Sequence, residues 1–347
     1  MSTANGNRSD NCAKGFDAII GQQRQIHMLT AALQKNEVPH AMLFTGEAGV
    51  GKKTTAINFA KACNCERPMP LAGGAAFSGR LNPCGTCRPC RKIDSFSHPD
   101  FHYIKPPGAT IRIEQIRALC SALALRPNEA SLRIVVISDA HLLNAEAGNA
   151  LLKILEEPPD KTVMILTAPE AADLLPTIVS RCRHFRFNPI PEDRLEAYLI
   201  ETRGIPGEKA MVIASLAGGS IGRALSMEGD TSIMDLRRRI IEWMEIFFKS
   251  PSGNDLYFSE AIAADKITLG LSLDIMKSWV RDLAIAKHTP EKIYNRDYRE
   301  RLLALSEQAD PDGLIEKADA VWQAERALKT NANPRLAVEA MVMKFSG

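Results

Sequence analysis

The sequence predicts an α/β domain followed by an all-α half, and three observations carry that prediction. Up to about residue 189, short β-branched or aromatic runs alternate with helical stretches, the pattern of a parallel sheet flanked by helices. The first such run leads directly into GEAGVGKKTT (46–55), a glycine-rich turn that opens a helix. After NPIPED (188–193) the strand signals stop and every later segment reads as helix, which places a boundary near 189.

The elements follow in order. AMLFT (41–45) is the first strand, and TTAINFAKAC continues the helix that the glycine turn begins. DFHYI (100–104), RIVVIS (133–138), TVMILT (162–167) and HFRF (184–187) supply four more strands. Between the third and fourth, NAEAGNALLKILEE forms a helix that stops at Pro158 and Pro159, since proline cannot continue the hydrogen-bond ladder and restricts its predecessor. A small helical unit follows the boundary, broken at 204–207 and again at Gly218 and Gly219. Beyond about 230, Ile233, Leu236, Ile240, Met244 and Phe247 recur three or four apart, as one buried helical stripe requires. The tail reads as two helices divided at Asn333 and Pro334, and LAGGAAFSG (71–79) is a glycine- and alanine-rich stretch. The expected domains are thus 1–188, 189–229 and 230–347.

Composition excludes several functions. The chain has 43 basic and 41 acidic residues among 347, a net charge of +2, so no strong overall field draws in nucleic acid or an anionic membrane. The first residues are polar with no apolar signal core, and no run is long enough to span a bilayer. The expectation is a cytoplasmic protein. In a reducing compartment its eight cysteines argue for metal ligation where they cluster, rather than for disulfides.

Four stretches carry chemistry. In the phosphate-loop pattern GxxxxGK[ST], glycines turn backbone N–H groups toward phosphate, the lysine reaches the terminal phosphates and the last hydroxyl holds Mg²⁺. Gly46, Gly49, Gly51 and Lys52 fit, but Lys53 stands where the hydroxyl belongs. Thr54 comes one place late, rotated by about 100° around the helix. The strand RIVVIS ends at Asp139, where P-loop ATPases keep a Mg²⁺ aspartate, and Ala140 follows, with no group to align a water. Cys84, Cys87 and Cys90, with two residues between neighbours, can wrap a tetrahedral Zn²⁺ in a structural site with Cys65 as fourth ligand, and Cys63 as the alternative. Last, Ser180, Arg181 and Cys182 precede the final strand.

Together these residues resemble the clamp-loader AAA+ proteins, and among them the delta-prime-type subunits of bacterial DNA polymerase III. The stretches that carry the likeness are IIGQQ, PHAMLFTGEAGVGK, the cysteine module (about 63–92), HPDFHYI, NALLKILEEPP, LLPTIVSRC, GGSIGRAL and NANPRLAVEAMVMKF, from about residue 16 to the end. The resemblance implies a RecA-like AAA+ sheet domain carrying the zinc module, a small helical lid and a C-terminal helical collar. It implies partners as well: gamma/tau motor subunits and delta in a circular hetero-pentamer that opens the sliding clamp and closes it on primed DNA. Motor members of the family pair GKT or GKS with Asp-Glu, where this chain has Lys52-Lys53 and Asp139-Ala140. By the same resemblance Arg181 is an arginine finger acting on a neighbour's ATP, and Arg223 matches the lid arginine that contacts phosphate. The expectation is an accessory polymerase III subunit with little or no ATPase and no polymerase activity of its own.

Two rivals remain. In one, Thr54 replaces the lost hydroxyl and the chain is an ATP-hydrolysing motor. In the other, CGTCRPCRK reads DNA as a free-standing zinc module, against which the near-neutral charge already weighs.

Overall fold

A computed structural model describes residues 15–71, 80–229, 232–249, 262, 266–329 and 332–346. The polar start (1–14) and most of the glycine- and alanine-rich stretch (72–79) lie outside them. By its contacts the chain divides into two compact units, one running to Arg194 and including Gly219–Gly222, the other comprising Leu195–Gly218 and Arg223 onward.

The first unit is a parallel sheet with helices on both faces. Its elements are α1 (Gln23–Gln34), β1 (Ala41–Thr45), α2 (Lys52–Asn64), β2 (Met69–Pro70), β3 (Arg80–Asn82), α3 (Arg88–Asp94), β4 (Phe101–Ile104), α4 (Ile113–Leu123), β5 (Arg133–Ile137), α5 (Ala145–Glu156), β6 (Thr162–Ala168), α6 (Pro176–Val179) and β7 (Arg183–Arg186). All five expected strands join one sheet in the order β4-β5-β6-β1-β7, each in parallel pairing. β1, β5 and β6 are buried along their whole length, which is why they read as continuous apolar runs rather than as alternation. Along β1, Met42 and Phe44 enter the core formed with α1, α2 and α3. Ala41 and Leu43 enter the opposite core, formed with α4, α5 and α6.

Two details depart from the sequence reading. The last strand begins one residue earlier than HFRF, at Arg183. The two-stranded antiparallel sheet of β2 and β3 was not anticipated. Met69 and Pro70 are exposed and few, so they carry neither apolar alternation nor a turn signal.

In the second unit the stripe Ile233, Leu236, Ile240, Met244 and Phe247 is buried throughout. Beside it a polar knot is fully paired. Asp282 accepts hydrogen bonds from the backbone N–H groups of Tyr294 and Asn295 at 3.1 and 2.8 Å. Arg237 meets Asp297 with both terminal nitrogens, at 2.6 and 2.7 Å. The tail is two helices, Pro311–Lys329 and Pro334–Ser346, the second opening on the proline that the sequence marked.

Asp100, which precedes β4, fixes the loop that leads into β5. It is 2% exposed, and its carboxylate accepts from the backbone N–H groups of Asn128, Glu129 and Ala130 at 2.8, 2.8 and 2.9 Å. Burial works to raise its pKa, but those three donors and Arg133 more than offset it and hold the carboxyl below the ordinary aspartate range. Asp100→Ala removes the charged acceptor shared by three backbone donors, and urea unfolding at neutral pH is expected to show a loss of about 3 kcal/mol. Because the folded pKa lies below the unfolded value of about 3.9, the carboxylate's contribution is full above that value. It fades as pH falls through the folded value, so the gap between wild type and variant should narrow on acidification.

Candidate functional site

The site lies at the carboxyl end of β1, beside the place where strand order reverses. The chain leaves β1 through a turn with φ of 138° at Gly46, 79° at Gly49 and 104° at Gly51. At two of these glycines neighbours also forbid a side chain. A Cβ on Gly46 would sit 2.3 Å from the Phe187 carbonyl oxygen, and one on Gly49 would sit 2.2 Å from Ser220 Oγ.

The loop is tied to its own chain. Lys52 is 8% exposed, and its ammonium donates to the carbonyls of Gly46 and, at 2.8 Å, Glu47. Burial lowers its pKa, while Asp139 and Glu47 push the other way. The next two carbonyls are taken by the segment at 219–222: Ser220 Oγ donates to Ala48 at 2.9 Å and Gly222 N–H to Gly49 at 2.9 Å. Gln22, from the IIGQQ stretch, bridges the carbonyls of Val50 and Asn188 at 3.2 and 2.7 Å. Sequence reasoning missed Ser220 and Gly222 as partners of the loop. GGSIG was visible as a break between helices, but its docking is a contact between positions some 170 residues apart.

The metal-ligand positions are altered in space as in sequence. Lys53 does not face the loop's centre; its ammonium lies 5.4 Å from the centroid of the Tyr103 ring on β4. Thr54 is half-buried one position further along, and Thr55 turns its hydroxyl back to the Gly51 carbonyl at 2.9 Å. Asp139 ends β5 in a left-handed conformation, φ 56°. Its N–H donates to Thr167 Oγ1 at 3.0 Å, and its carboxylate accepts from Ser138 Oγ at 3.0 Å. Ala140 is 1% exposed and packs in the apolar layer with α4 and α5.

The four cysteines converge. The sulfurs of Cys65, Cys84, Cys87 and Cys90 all lie within 4.8 Å of one another. Ligands at about 2.3 Å on a tetrahedral zinc stand about 3.8 Å apart, and Cys65 and Cys87 Sγ are 3.9 Å apart. Cys65 is the C-cap of α2, and Cys63, two residues earlier, packs against the sheet's core instead. Backbone N–H groups point at sulfur, from Cys84 to Cys65 and from Cys87 to Cys84, each at 3.3 Å. Burial opposes ionisation of Cys84, yet the donors of Thr86 and Cys87 bring its thiol down to about 6, whereas burial pushes Cys65 and Cys90 up. Four sulfurs at this spacing can hold a metal ion and leave no coordination position for water.

Arg181 follows the one-turn helix α6. Its Nη1 donates to the Thr177 carbonyl at 2.9 Å and Ser180 Oγ at 3.3 Å, and its Nη2 to Glu156 Oε1 at 2.8 Å. The side chain is 36% exposed and that of Glu156 50%. Of the guanidinium's five N–H donors, Nε–H and one Nη2 hydrogen have no partner among the described residues. Neighbouring Cys182 turns inward against the second core, where burial raises its thiol to about 11. Arg223, in the other unit, pairs with Asp274, which also meets Lys277 at 2.6 Å.

Comparison with known proteins agrees across most of the chain. The family model described as DNA polymerase III, delta subunit, matches residues 21–191, and its C-terminal counterpart matches residues 235–347. DNA polymerase III subunit delta' of Bacillus subtilis is 28% identical over 327 residues, covering 93% of this chain and 95% of that protein. Subunit delta' of Pseudomonas aeruginosa is 28% identical, covering 88% and 92%. Subunit tau of B. subtilis is also 28% identical, over 95% of this chain but 61% of tau. A solved gamma subunit-related protein of Thermotoga maritima overlaps 92% of this chain and 98% of its own at 17% identity and a TM-score of 0.39, too loose a match to carry inference. With both models falling in register on its two halves and delta' subunits matching nearly end to end, the chain belongs to the DNA polymerase III delta-subunit family.

Proposed function

We propose that this chain is the delta'-type stator of a bacterial sliding-clamp loader. It lends Arg181 to the ATP site of a neighbouring gamma/tau-type motor subunit, in a ring that also contains delta and places the clamp on primed DNA in the cytoplasm. In this reading 1–188 is the AAA+ domain with its metal module, 189–229 the lid, and 230–347 the collar that joins the circular hetero-pentamer. The observation that carries it is a division of labour in phosphoryl-transfer chemistry. The chain's own site has an alanine for the hydrolytic carboxylate and a lysine for the metal's hydroxyl ligand, while Arg181 stands at the surface with two N–H donors to offer. A guanidinium supplied in trans to developing phosphate charge accelerates such transfers by about 10³ to 10⁵.

A motor reading draws on the tau likeness, and the pure protein separates the two. Here the isolated chain is expected to turn over no ATP above background. Ala140→Glu should not rescue it, because the new carboxylate would enter an apolar layer and melting temperature should fall. Magnesium-dependent turnover by rigorously purified wild type would favour the motor.

The four-thiol cluster is assigned structural Zn²⁺ through Cys65, Cys84, Cys87 and Cys90. Metal analysis should return one zinc per chain. Cys87→Ser should abolish it and unfold the β2–β3–α3 module while the five-stranded sheet, held from its other face by the core with α4, α5 and α6, persists by circular dichroism.

Arg181→Ala is the test of the stator role. The substitution should change this chain's own stability by no more than about 0.5 kcal/mol, as at other exposed positions. In the reconstituted loader it should lower DNA- and clamp-stimulated ATPase through the one site that borrows the finger, and Arg181→Lys should restore little of it. Equal ATPase and clamp loading by wild-type and Arg181→Ala complexes would remove the trans-acting role.

A further inference from the structure

We infer that Glu156 is a positioning residue for Arg181, holding the guanidinium in the orientation from which it meets a neighbour's phosphate; this rests on the stator reading above. An arginine at a surface has many rotamers, and an unbraced one must lose that freedom on reaching its target. Arg181 is braced from two elements. Thr177 and Ser180, in the turn of α6, take both Nη1 hydrogens, and Glu156, the last residue of α5, takes one Nη2 hydrogen at 2.8 Å. Nε–H and one Nη2 hydrogen are left over, so phosphate oxygen can be met without first breaking the brace.

The identity of residue 156 supports the role independently. A carboxylate at the C-terminal end of a helix faces the negative pole of the helix dipole, where a cation would serve α5 better. Glu156 is half exposed, so it is not there to complete a core, and its ion pair is with Arg181. Pro158 and Pro159 stop the chain just beyond it, which fixes where α5 ends and hence where the carboxylate stands relative to α6.

The test uses the full loader assembled with wild-type partners and four versions of this chain: Glu156→Ala, Glu156→Gln, Arg181→Ala and the Glu156→Ala/Arg181→Ala double variant. Equal assembly is checked by gel filtration and equal stability by thermal melting, which an exposed position permits. Glu156→Ala is expected to lower kcat of the stimulated ATPase by about fivefold, the rate equivalent of one exposed ion pair, with KM for ATP unchanged. Glu156→Gln keeps an acceptor oxygen and should recover most of that loss. The double variant should match Arg181→Ala, since a residue that acts only through another adds nothing once the other is gone. Glu156→Ala at wild-type rate, with Arg181→Ala impaired, would overturn the positioning role and leave the finger standing. A faster Glu156→Ala loader, or a double variant slower than Arg181→Ala, would overturn it as well. Wild-type activity in Arg181→Ala would remove the finger itself, and the role of Glu156 with it.

Discussion

The first unit depends on how the turn after β1 satisfies its own carbonyl groups. A phosphate loop exposes backbone N–H groups by pointing them at a ligand, and its carbonyls need donors from somewhere else. In this chain Gly46 and Glu47 receive the Lys52 ammonium, Ala48 receives Ser220 and Gly49 receives the Gly222 N–H. Lys52, the residue that would reach a terminal phosphate, is bonded back onto the loop it springs from. The arrangement holds its shape from within, at the end of a strand that lies between β6 and β7, with Asp139 close enough to act on the lysine's charge.

That internal satisfaction accounts for the pattern of retained and lost residues. The glycines persist because the backbone conformation and the close approach of Phe187 and Ser220 admit nothing larger. At two positions where the P-loop pattern places metal and water chemistry, the chain makes other contacts. Lys53 reaches the ring of Tyr103 on the neighbouring face, and the methyl group of Ala140 fills space between α4 and α5.

The sheet was legible in the sequence because its strands are buried on both faces and announce themselves as unbroken apolar runs, and because proline and glycine punctuate what lies between. The cysteine cluster was legible too, since three thiols with two residues between neighbours have few other uses, whereas the choice between Cys65 and Cys63 turned on packing, which sets Cys63 against the sheet's core. Contacts between distant segments were not. The pairing of Ser220 with Ala48 and of Glu156 with Arg181 joins residues whose local sequence serves a helix break or a helix end equally well. Nor was the β2–β3 sheet, whose five residues are too few to show a period. Local pattern reports what a segment is, and long-range docking decides what it is for.

Helix α2 begins in the phosphate loop and ends at Cys65, so one rigid rod joins the glycine turn to the thiol cluster. Any two of the four sulfurs, all within 4.8 Å, that bonded to each other would no longer be available to a metal. Oxidation at the cluster would therefore act on the same helix that the glycine turn opens.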